Sequence, residues 1–449
     1  MKIKNKIKIK KRTSPRLPRL RPRSKLSRVI VELINTGQEL LLGRVLNTHQ
    51  QWLGRQLADL GHTVSRQVTV PDKGADIQQA VRESLTRADL VITTGGLGPT
   101  SDDLTREFIA RLLNLPLHEH APTLAAIEHF FASRNRPMPV SNRVQALVPE
   151  GALVLENPNG TAPGLALHVK PNSFRADEKP TWLVMLPGPP RELRPMFSNA
   201  VVPLLRRELP VETEFICRTL RTSGVGESSL AERIEKQLAP LVAAGLELGY
   251  CAHTWQVDVR LAARGPGAAQ SVAEAERVVR EQLGSFIFTD QEESLEAVIV
   301  RLMTERKLTL ALAESCTGGG MAHRITNVPG ASAVLLAGLV TYSNAAKQEF
   351  LGVKAETLAA HGAVSEAVAC EMAEGARRQT GADLALSVTG IAGPDGGSPE
   401  KPVGTVFIGL ADSTGVRAEK FFNPYDRETF KTATGNQALE KLRRKILAK

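Results

Sequence analysis

At 449 residues the chain exceeds one ordinary core, so two or three domains are expected, and 42% hydrophobic residues suffice to bury them although only 4% are aromatic. No run of about 18 consecutive apolar residues occurs and no signal-peptide stretch opens the chain, so a cytoplasmic protein without a membrane span is expected. The net charge of +10 belongs to one end: residues 1–28 hold thirteen Lys or Arg and no acid, and removing those thirteen leaves −3 for the rest.

A block of like charges with Pro and Ser repels itself and cannot bury a core, so residues 1–28 are expected to be a disordered tail. Such a tail is either an electrostatic handle for RNA or anionic lipid, or an over-long reading frame ahead of the first strand. Cys217, Cys251, Cys316 and Cys370 show no C-x-x-C or histidine spacing, which argues against a zinc site or a disulfide framework.

From "RVIVELINTG" (28–37) onward, short Val/Ile/Leu runs alternate with amphipathic segments, the pattern of an α/β fold. "TVSRQVTVPD" and "ADLVITTGG" read as strands, "DIQQAVRESLTR" and "LTREFIARLL" as helices, and "WLVMLPGPPRELRPMF" as a strand turning through prolines into a helix. This first domain spans 29–207. Residues 208–290 read strand, helix, strand, helix, strand, a small α+β module. Residues 291–449 form a third unit with strands "LTLALA", "AGLVTYS", "ADLALSVTG" and "GTVFIGLAD".

The first chemical feature is "TTGGLGPTSDDLTRE" (93–107), a glycine-rich turn between a strand and a helix. The backbone N–H groups of Gly95, Gly96 and Gly98 can approach phosphate there, aided by the helix dipole. Asp102, Asp103 and Thr105 offer oxygens for a hydrated divalent cation or a sugar hydroxyl. Spacing alone leaves open a plainer reading, in which Asp102 and Asp103 cap the following helix. The turn is neither G-x-G-x-x-G nor a Walker P-loop.

Taken with "TGQELLLGRVLNT" (36–48), "VPD" (70–72) and "LPGPPRELRPM" (186–196), this turn resembles the molybdopterin-binding fold, and more closely its variant at the front of the CinA family. The resemblance implies that Asp72 and Asp103 are functional and that the glycine turn holds an anionic ligand. Glu39 joins the candidates, beside Gln38, which stands where an acid is common in molybdopterin-binding relatives. In the CinA branch it implies hydrolysis of ADP-ribose with Mg2+ or a similar ion, for which Asp102 and Asp103 are the candidate ligands. The middle module resembles the KH-like domain of that family. It lacks a G-x-x-G loop, since "SGVGES" (223–228) has the wrong spacing, so nucleic acid is not an expected partner.

The second feature is "ALAESCTGGG" (311–320), where an apolar strand runs into three glycines with a serine and a cysteine side by side. If a helix starts at Ser315, the N–H groups of Cys316, Thr317 and Gly318 converge where an oxyanion would sit. A serine there also suits a plain N-cap. Cys316 is softer, yet a catalytic cysteine needs a cation to lower its pKa, and His253, His323 and His361 show no spacing that recommends them. These residues alone leave the choice open.

"AESCTGGGMAHRITNVPGAS", "GLVTYSNAAKQEFLGV", "HGAVSEAVACEMAEGA" and "SVTGIAGPDGGSPEKPVGTVFIGL" resemble the C-terminal domain of the same family, the nicotinamide-nucleotide amidases. The resemblance implies that Ser315 is the nucleophile and that Tyr342 and Lys347 move protons, with no cofactor. It also implies a homodimer. A neutral lysine can serve a serine as base, directly or through a tyrosine hydroxyl. The turn "TGIAGPDGGS" (389–398), with Thr389, Gly390 and Gly393, forms a second glycine-rich nest for phosphate or ribose. Where the family often shows Gly-Asp-Arg, this chain has Tyr425-Asp426-Arg427. Arg427 can still pair with phosphate, but the glycine's freedom is lost.

The expected fold is therefore two α/β domains, molybdopterin-binding-like and amidase, joined by an α+β KH-like module. The expected ligands are nicotinamide mononucleotide at the back and ADP-ribose at the front. Two other classes stay open. The front domain could hold a pterin or nucleotide without cleaving it, or the chain could be a nucleic-acid-associated competence factor.

Overall fold

The computed structural model describes residues 29–211 and 214–448, so the basic segment 1–28 and its expected disorder lie outside the described residues. The chain divides into two units at residues 212 and 213.

The first unit runs β1 (Val31–Thr36), α1 (Gln38–Leu41), α2 (Thr48–Asp59), β2 (Val64–Val70), α3 (Gly74–Leu85), β3 (Leu90–Thr94) and α4 (Thr105–Leu112). A small antiparallel ribbon of β4 (Leu117–Glu119) and β5 (Leu147–Pro149) flanks α5 (Ala121–Ala132). β6 (Leu153–Leu155), β7 (Gly164–Val169), β8 (Thr181–Leu186), α6 (Pro190–Met196) and α7 (Val202–Glu208) complete it. The sheet order is β2-β1-β3-β8-β7-β6, with the first four strands parallel, β7 antiparallel to β8 and β6 antiparallel to β7. β1, β3 and β8 are buried at every position, because helices cover both faces, and so they lack a strict apolar/polar alternation. Their alternate residues feed two cores. Leu33, Ile92 and Val184 pack with Leu53, Leu57 and Phe197, while Ile34, Val91 and Leu183 pack with Ile77, Val81 and Ile109.

The second unit opens with β9 (Phe215–Ser223), α8 (Glu227–Ala243), β10 (Glu247–His253), β11 (Gln256–Arg264), α9 (Ala268–Leu283) and β12 (Ile287–Thr289). These strands form an antiparallel sheet in the order β10-β11-β9-β12. β10 is one strand more than the sequence reading expects. Its residues, "ELGYCAH", are nearly all half-buried or exposed and lack a hydrophobic period.

The unit continues with α10 (Leu295–Glu305), β13 (Leu310–Glu314), α11 (Gly320–Thr326), β14 (Leu335–Val340), α12 (Asn344–Leu351), α13 (Ala355–His361) and α14 (Glu366–Thr380). It ends with β15 (Leu384–Gly390), β16 (Thr405–Asp412), β17 (Gly415–Phe422) and α15 (Arg427–Leu447). The order is β14-β13-β15-β16-β17; the first three are parallel and the last two antiparallel. Both large sheets are thus mixed. In each, loops gather at the carboxyl ends of parallel strands, where open α/β sheets form their crevices.

Candidate functional site

In the second unit, β13, the helix α12 that follows β14, and β15 deliver Ser315, Lys347 and Thr389 to one cleft of about 200 Å³. Ser343 caps α12 by accepting a hydrogen bond from the Ala346 N–H, and Lys347 and Leu351, one turn apart, form the buried face of that helix. Lys347 is 1% exposed. Its Nζ donates to the carbonyls of Thr341 (2.8 Å) and Tyr342 (3.2 Å) and stands 3.1 Å from Ser315 Oγ. No carboxylate pairs with it among the described residues, and burial pulls its pKa below the ordinary lysine value. A neutral amine has two N–H groups and one lone pair. With both N–H groups spent on carbonyls, the lone pair faces the serine hydroxyl and can accept its proton.

The helix expected at Ser315 begins five residues later, at Gly320. Gly318 and Gly319 adopt φ of 63° and 92°, so residues 315–319 form a turn rather than a helical start. The Gly318 N–H donates to the Ser315 carbonyl and is not available to an oxyanion. The N–H groups of Cys316 and Thr317 donate to no backbone carbonyl among the described residues and lie against the Cys316 sulfur. Of the three expected donors, two remain. Cys316 is buried, and burial pushes its thiol up to about 12, so it is not a thiolate at neutral pH.

Glu314, which the sequence reading did not single out, holds this turn. Its fully buried carboxylate accepts from Thr317 Oγ1 (2.7 Å) and from the N–H groups of Gly319 (3.0 Å), Met321 (3.1 Å) and Ala322 (2.8 Å). A carboxylate on the first free N–H groups of a helix is stabilised by the helix dipole. The signal was an acidic residue at the end of an otherwise apolar strand.

Tyr342 lies beyond the end of β14 and is 61% exposed. Its hydroxyl accepts from Arg427 (3.0 Å), not from Lys347, so the proton relay through tyrosine is not assembled here. Arg427 also donates to the Gly393 carbonyl (2.8 Å), bringing the 389–398 turn to the cleft. Thr389 lines the cleft while its hydroxyl donates to the Ala363 carbonyl, and Gly390 lies beside it. The substitution at Tyr425 is accommodated, since Tyr425 is not among the residues with positive φ. Asp426 caps α15 by accepting from the Glu428 and Thr429 N–H groups, which leaves Arg427 at the cleft.

The first unit carries a second cleft, of about 380 Å³, at the carboxyl ends of β1, β2, β3 and β8. It gathers Glu39, Asp72, Gly95, Gly96, Gly98, Asp102 and Asp103. The N–H groups of Gly96, Leu97 and Gly98 have no acceptor among the described residues, so the turn can receive an anion. A side chain at Gly98 would strike Asp103, its Cβ lying 2.3 Å from a carboxylate oxygen. Thr105, fully buried, does not face the cleft; its hydroxyl sits against Gly96. Neither aspartate caps α4, whose N-cap is Leu104, and Asp103 instead binds Thr100 through its N–H (2.9 Å) and hydroxyl.

Asp72 accepts from the Gln38 N–H (2.8 Å); burial, with Glu39, Asp102 and Asp103 nearby, raises its pKa. Glu192, missed in the sequence, is a buried member of the same cleft. Burial raises its pKa while Asn157 holds it at 2.8 Å. Among the described residues no three His, Cys, Asp or Glu side chains converge as a metal cage.

A molybdopterin-type front sheet, a small KH-type module and a serine–lysine cleft on a mixed back sheet define a class of three-module proteins. Family models match all three: "Probable molybdopterin binding domain" over 32–207, "Damage-inducible protein CinA KH domain" over 217–289 and "CinA C-terminal domain" over 292–446. The chain is 44% identical over 415 residues to a CinA-like protein of Akkermansia muciniphila, covering 92% of this chain and 97% of that one. It is 43% identical over 423 residues to a CinA-like protein of Kosmotoga olearia, covering 93% and 98%. The competence/damage inducible protein CihA of Agrobacterium tumefaciens, a solved structure, is 40% identical over 35% of this chain and 98% of its own, with a TM-score of 0.33. The chain belongs to the CinA family. No helix among the described residues is long and apolar enough to cross a membrane.

Proposed function

We propose that the back cleft hydrolyses nicotinamide mononucleotide to nicotinic acid mononucleotide and ammonia. The observation that carries this reading is Ser315 Oγ, 3.1 Å from the desolvated amine of Lys347. Lys347 takes the hydroxyl proton as Ser315 attacks the carboxamide carbon, and the Cys316 and Thr317 N–H groups receive the oxyanion. Lys347 then returns the proton to the departing amine, which leaves as ammonia. Water, deprotonated by the same lysine, attacks the nicotinoyl ester and frees Ser315. The test is ammonia release from nicotinamide mononucleotide by the intact chain; no release above a Ser315→Ala control overturns the reading.

The front cleft supports a second reaction, hydrolysis of the ADP-ribose pyrophosphate bond. The supporting observation is the row of free N–H groups at Gly96, Leu97 and Gly98 beside Asp72, Asp102 and Asp103. Asp102 and Asp72 would hold a divalent cation, which when bound would neutralise charge on the pyrophosphate. The glycine turn orients the phosphates, and Glu192, whose pKa burial raises, lines the same cleft. Retained ADP-ribose binding without release of AMP would replace this reading with a binding module.

A further inference from the structure

Ser315 opens a segment with little conformation of its own. It is followed by Cys316, Thr317 and then Gly318, Gly319 and Gly320, and glycine has the freest backbone of any residue. The hydroxyl must nevertheless stay fixed against its base, because a misplacement of about 1 Å can cost about 10²-fold in rate. Local propensity cannot supply that precision, so it comes from partners outside the glycine run. The near end is held by the Ser315 N–H, which donates to the Val388 carbonyl of β15 (3.1 Å). The far end is held by the Glu314 carboxylate.

The two oxygens of that carboxylate divide the work. Oε1 accepts from the Ala322 N–H (2.8 Å), while Oε2 takes Thr317 Oγ1 (2.7 Å) and the N–H groups of Gly319 (3.0 Å) and Met321 (3.1 Å). The Met321 and Ala322 bonds secure the first turn of α11; the Thr317 and Gly319 bonds draw the Ser315 turn back over the end of β13. The main chain of the same residue reaches the base. The Glu314 carbonyl accepts from the Thr341 N–H (2.9 Å), and the Thr341 carbonyl accepts in turn from Lys347 Nζ (2.8 Å). Nucleophile and base are thus registered on one residue, the serine through Thr317 and the lysine through Thr341. Glu314 and Thr317 are both buried, which shields a charge-assisted bond from competing water. Neither is among the residues that line the cleft.

We propose that the hydrogen bond from the Thr317 hydroxyl to the Glu314 carboxylate is a positioning latch for the amide hydrolysis, holding the Ser315 hydroxyl against Lys347 while the carboxamide is attacked. This rests on the amidase reading. Glu314 and the Thr317 hydroxyl are positioning groups that act through the turn and carry no proton of the reaction. Their loss therefore falls on the chemical step and spares the affinity for the ligand.

The test is steady-state ammonia release from nicotinamide mononucleotide by the full chain carrying Thr317→Val or Thr317→Ser. Melting temperatures accompany it, with calorimetric affinities for the same ligand after Ser315→Ala is added to each. Valine keeps the branched shape and the backbone N–H but loses the hydroxyl; serine keeps the hydroxyl. Thr317→Val should lower kcat by about 10- to 100-fold and change the affinity by less than about threefold. Thr317→Ser should bring kcat back to within about threefold of the parent chain. A bond that only stabilised the fold would lower Tm and leave kcat per folded chain unchanged. Glu314→Gln turns an amide N–H toward backbone donors and should lower kcat at least as far as Thr317→Val; if that variant does not fold, the two Thr317 variants decide. A Thr317→Val chain with kcat within about twofold of the parent, or no recovery with serine, overturns the latch and leaves the amidase reading intact. If the parent chain releases no ammonia above the Ser315→Ala control, the amidase reading falls and takes this inference with it.

Discussion

The front and back clefts occupy the same place in their sheets, at the carboxyl ends of parallel strands, yet they carry opposite equipment. The front cleft collects carboxylates around unpaired backbone amides. It has an anion-binding turn and an acidic wall, a combination that is electrostatically incomplete without a cation between ligand and wall. The back cleft spends its carboxylates on its own scaffold, with Glu314 and Asp426 closing the helix ends, and leaves the Arg427 guanidinium among the residues that line it. On the readings proposed above, the front reaction would require a metal and the back one would not, according to whether the acids of the crevice are left to the ligand or spent on the backbone.

The sharpest separation comes from the hydroxyl and the thiol. Ser315→Ala should lower ammonia release by about 10⁴-fold or more, the usual consequence of deleting a nucleophile. It should leave ADP-ribose hydrolysis unchanged. Cys316→Ala should retain most of the ammonia release, because a buried thiol pushed up to about 12 is not the attacking group. A Cys316→Ala chain as inactive as Ser315→Ala contradicts the assignment.

The next largest effect concerns Lys347. Removing a general base costs about 10³-fold, and Lys347→Arg should fare no better than Lys347→Ala because arginine stays charged. The direction with pH follows from the lowered pKa. The neutral amine is the working form, so kcat rises as pH climbs through the folded-state pKa, with a midpoint below the ordinary value of 10.5. The same shift makes folding more favourable with rising pH between the folded and unfolded pKa values, since the unfolded chain binds that proton more tightly. An arginine variant retaining more than about a tenth of kcat would make Lys347 an electrostatic anchor.

Chelation should distinguish the clefts with a smaller but cleaner difference. ADP-ribose hydrolysis should fall by about 10²-fold or more, if the cation supplies several kcal/mol of charge stabilisation. Ammonia release should be untouched. Loss of both activities on chelation breaks the comparison between the clefts. Asp72→Asn should impair only the front reaction, because Asp72 faces only the front cleft.

What the sequence made legible and what it hid follow one physical line. Strands buried on both faces lacked a strict alternation, and the glycine turns could be placed because each follows a short apolar run such as "LVI" or "LALA". β10 was hidden because its residues are mostly half-buried or exposed, so no period survives in "ELGYCAH". The turn after β13 was misread as a helix start because a serine before three glycines looks like a cap; the left-handed Gly318 and Gly319 delay the helix to Gly320. Lys347 sits in "NAAKQEF", which reads as a solvated helix, and its burial depends on carbonyls at Thr341 and Tyr342 turning back over its amine. Glu192 was invisible for a related reason, since its partner Asn157 lies 35 residues away in sequence. Glu314 differed, because its partners Thr317, Gly319, Met321 and Ala322 all follow within 8 residues and its acid closes an apolar strand.

The smallest predicted effect tests whether the back cleft works directly or through a relay. In a relay, the Tyr342 hydroxyl would pass the proton between Ser315 and Lys347, and its loss would cost as much as losing the base. The geometry shows a different arrangement: Ser315 and Lys347 are 3.1 Å apart, and the Tyr342 hydroxyl is occupied by Arg427 at 3.0 Å. Tyr342→Phe removes one exposed hydrogen bond and leaves Arg427 its bond to the Gly393 carbonyl. A hydrogen bond of this kind contributes about 0.5–1.5 kcal/mol, so kcat/KM should fall only about two- to tenfold. On the proposed reading the loss should fall mainly on KM, since Arg427 would meet the phosphate end of the ligand and not the carboxamide. A hundredfold fall in kcat with KM unchanged would mean that the tyrosine swings into the proton path when substrate binds.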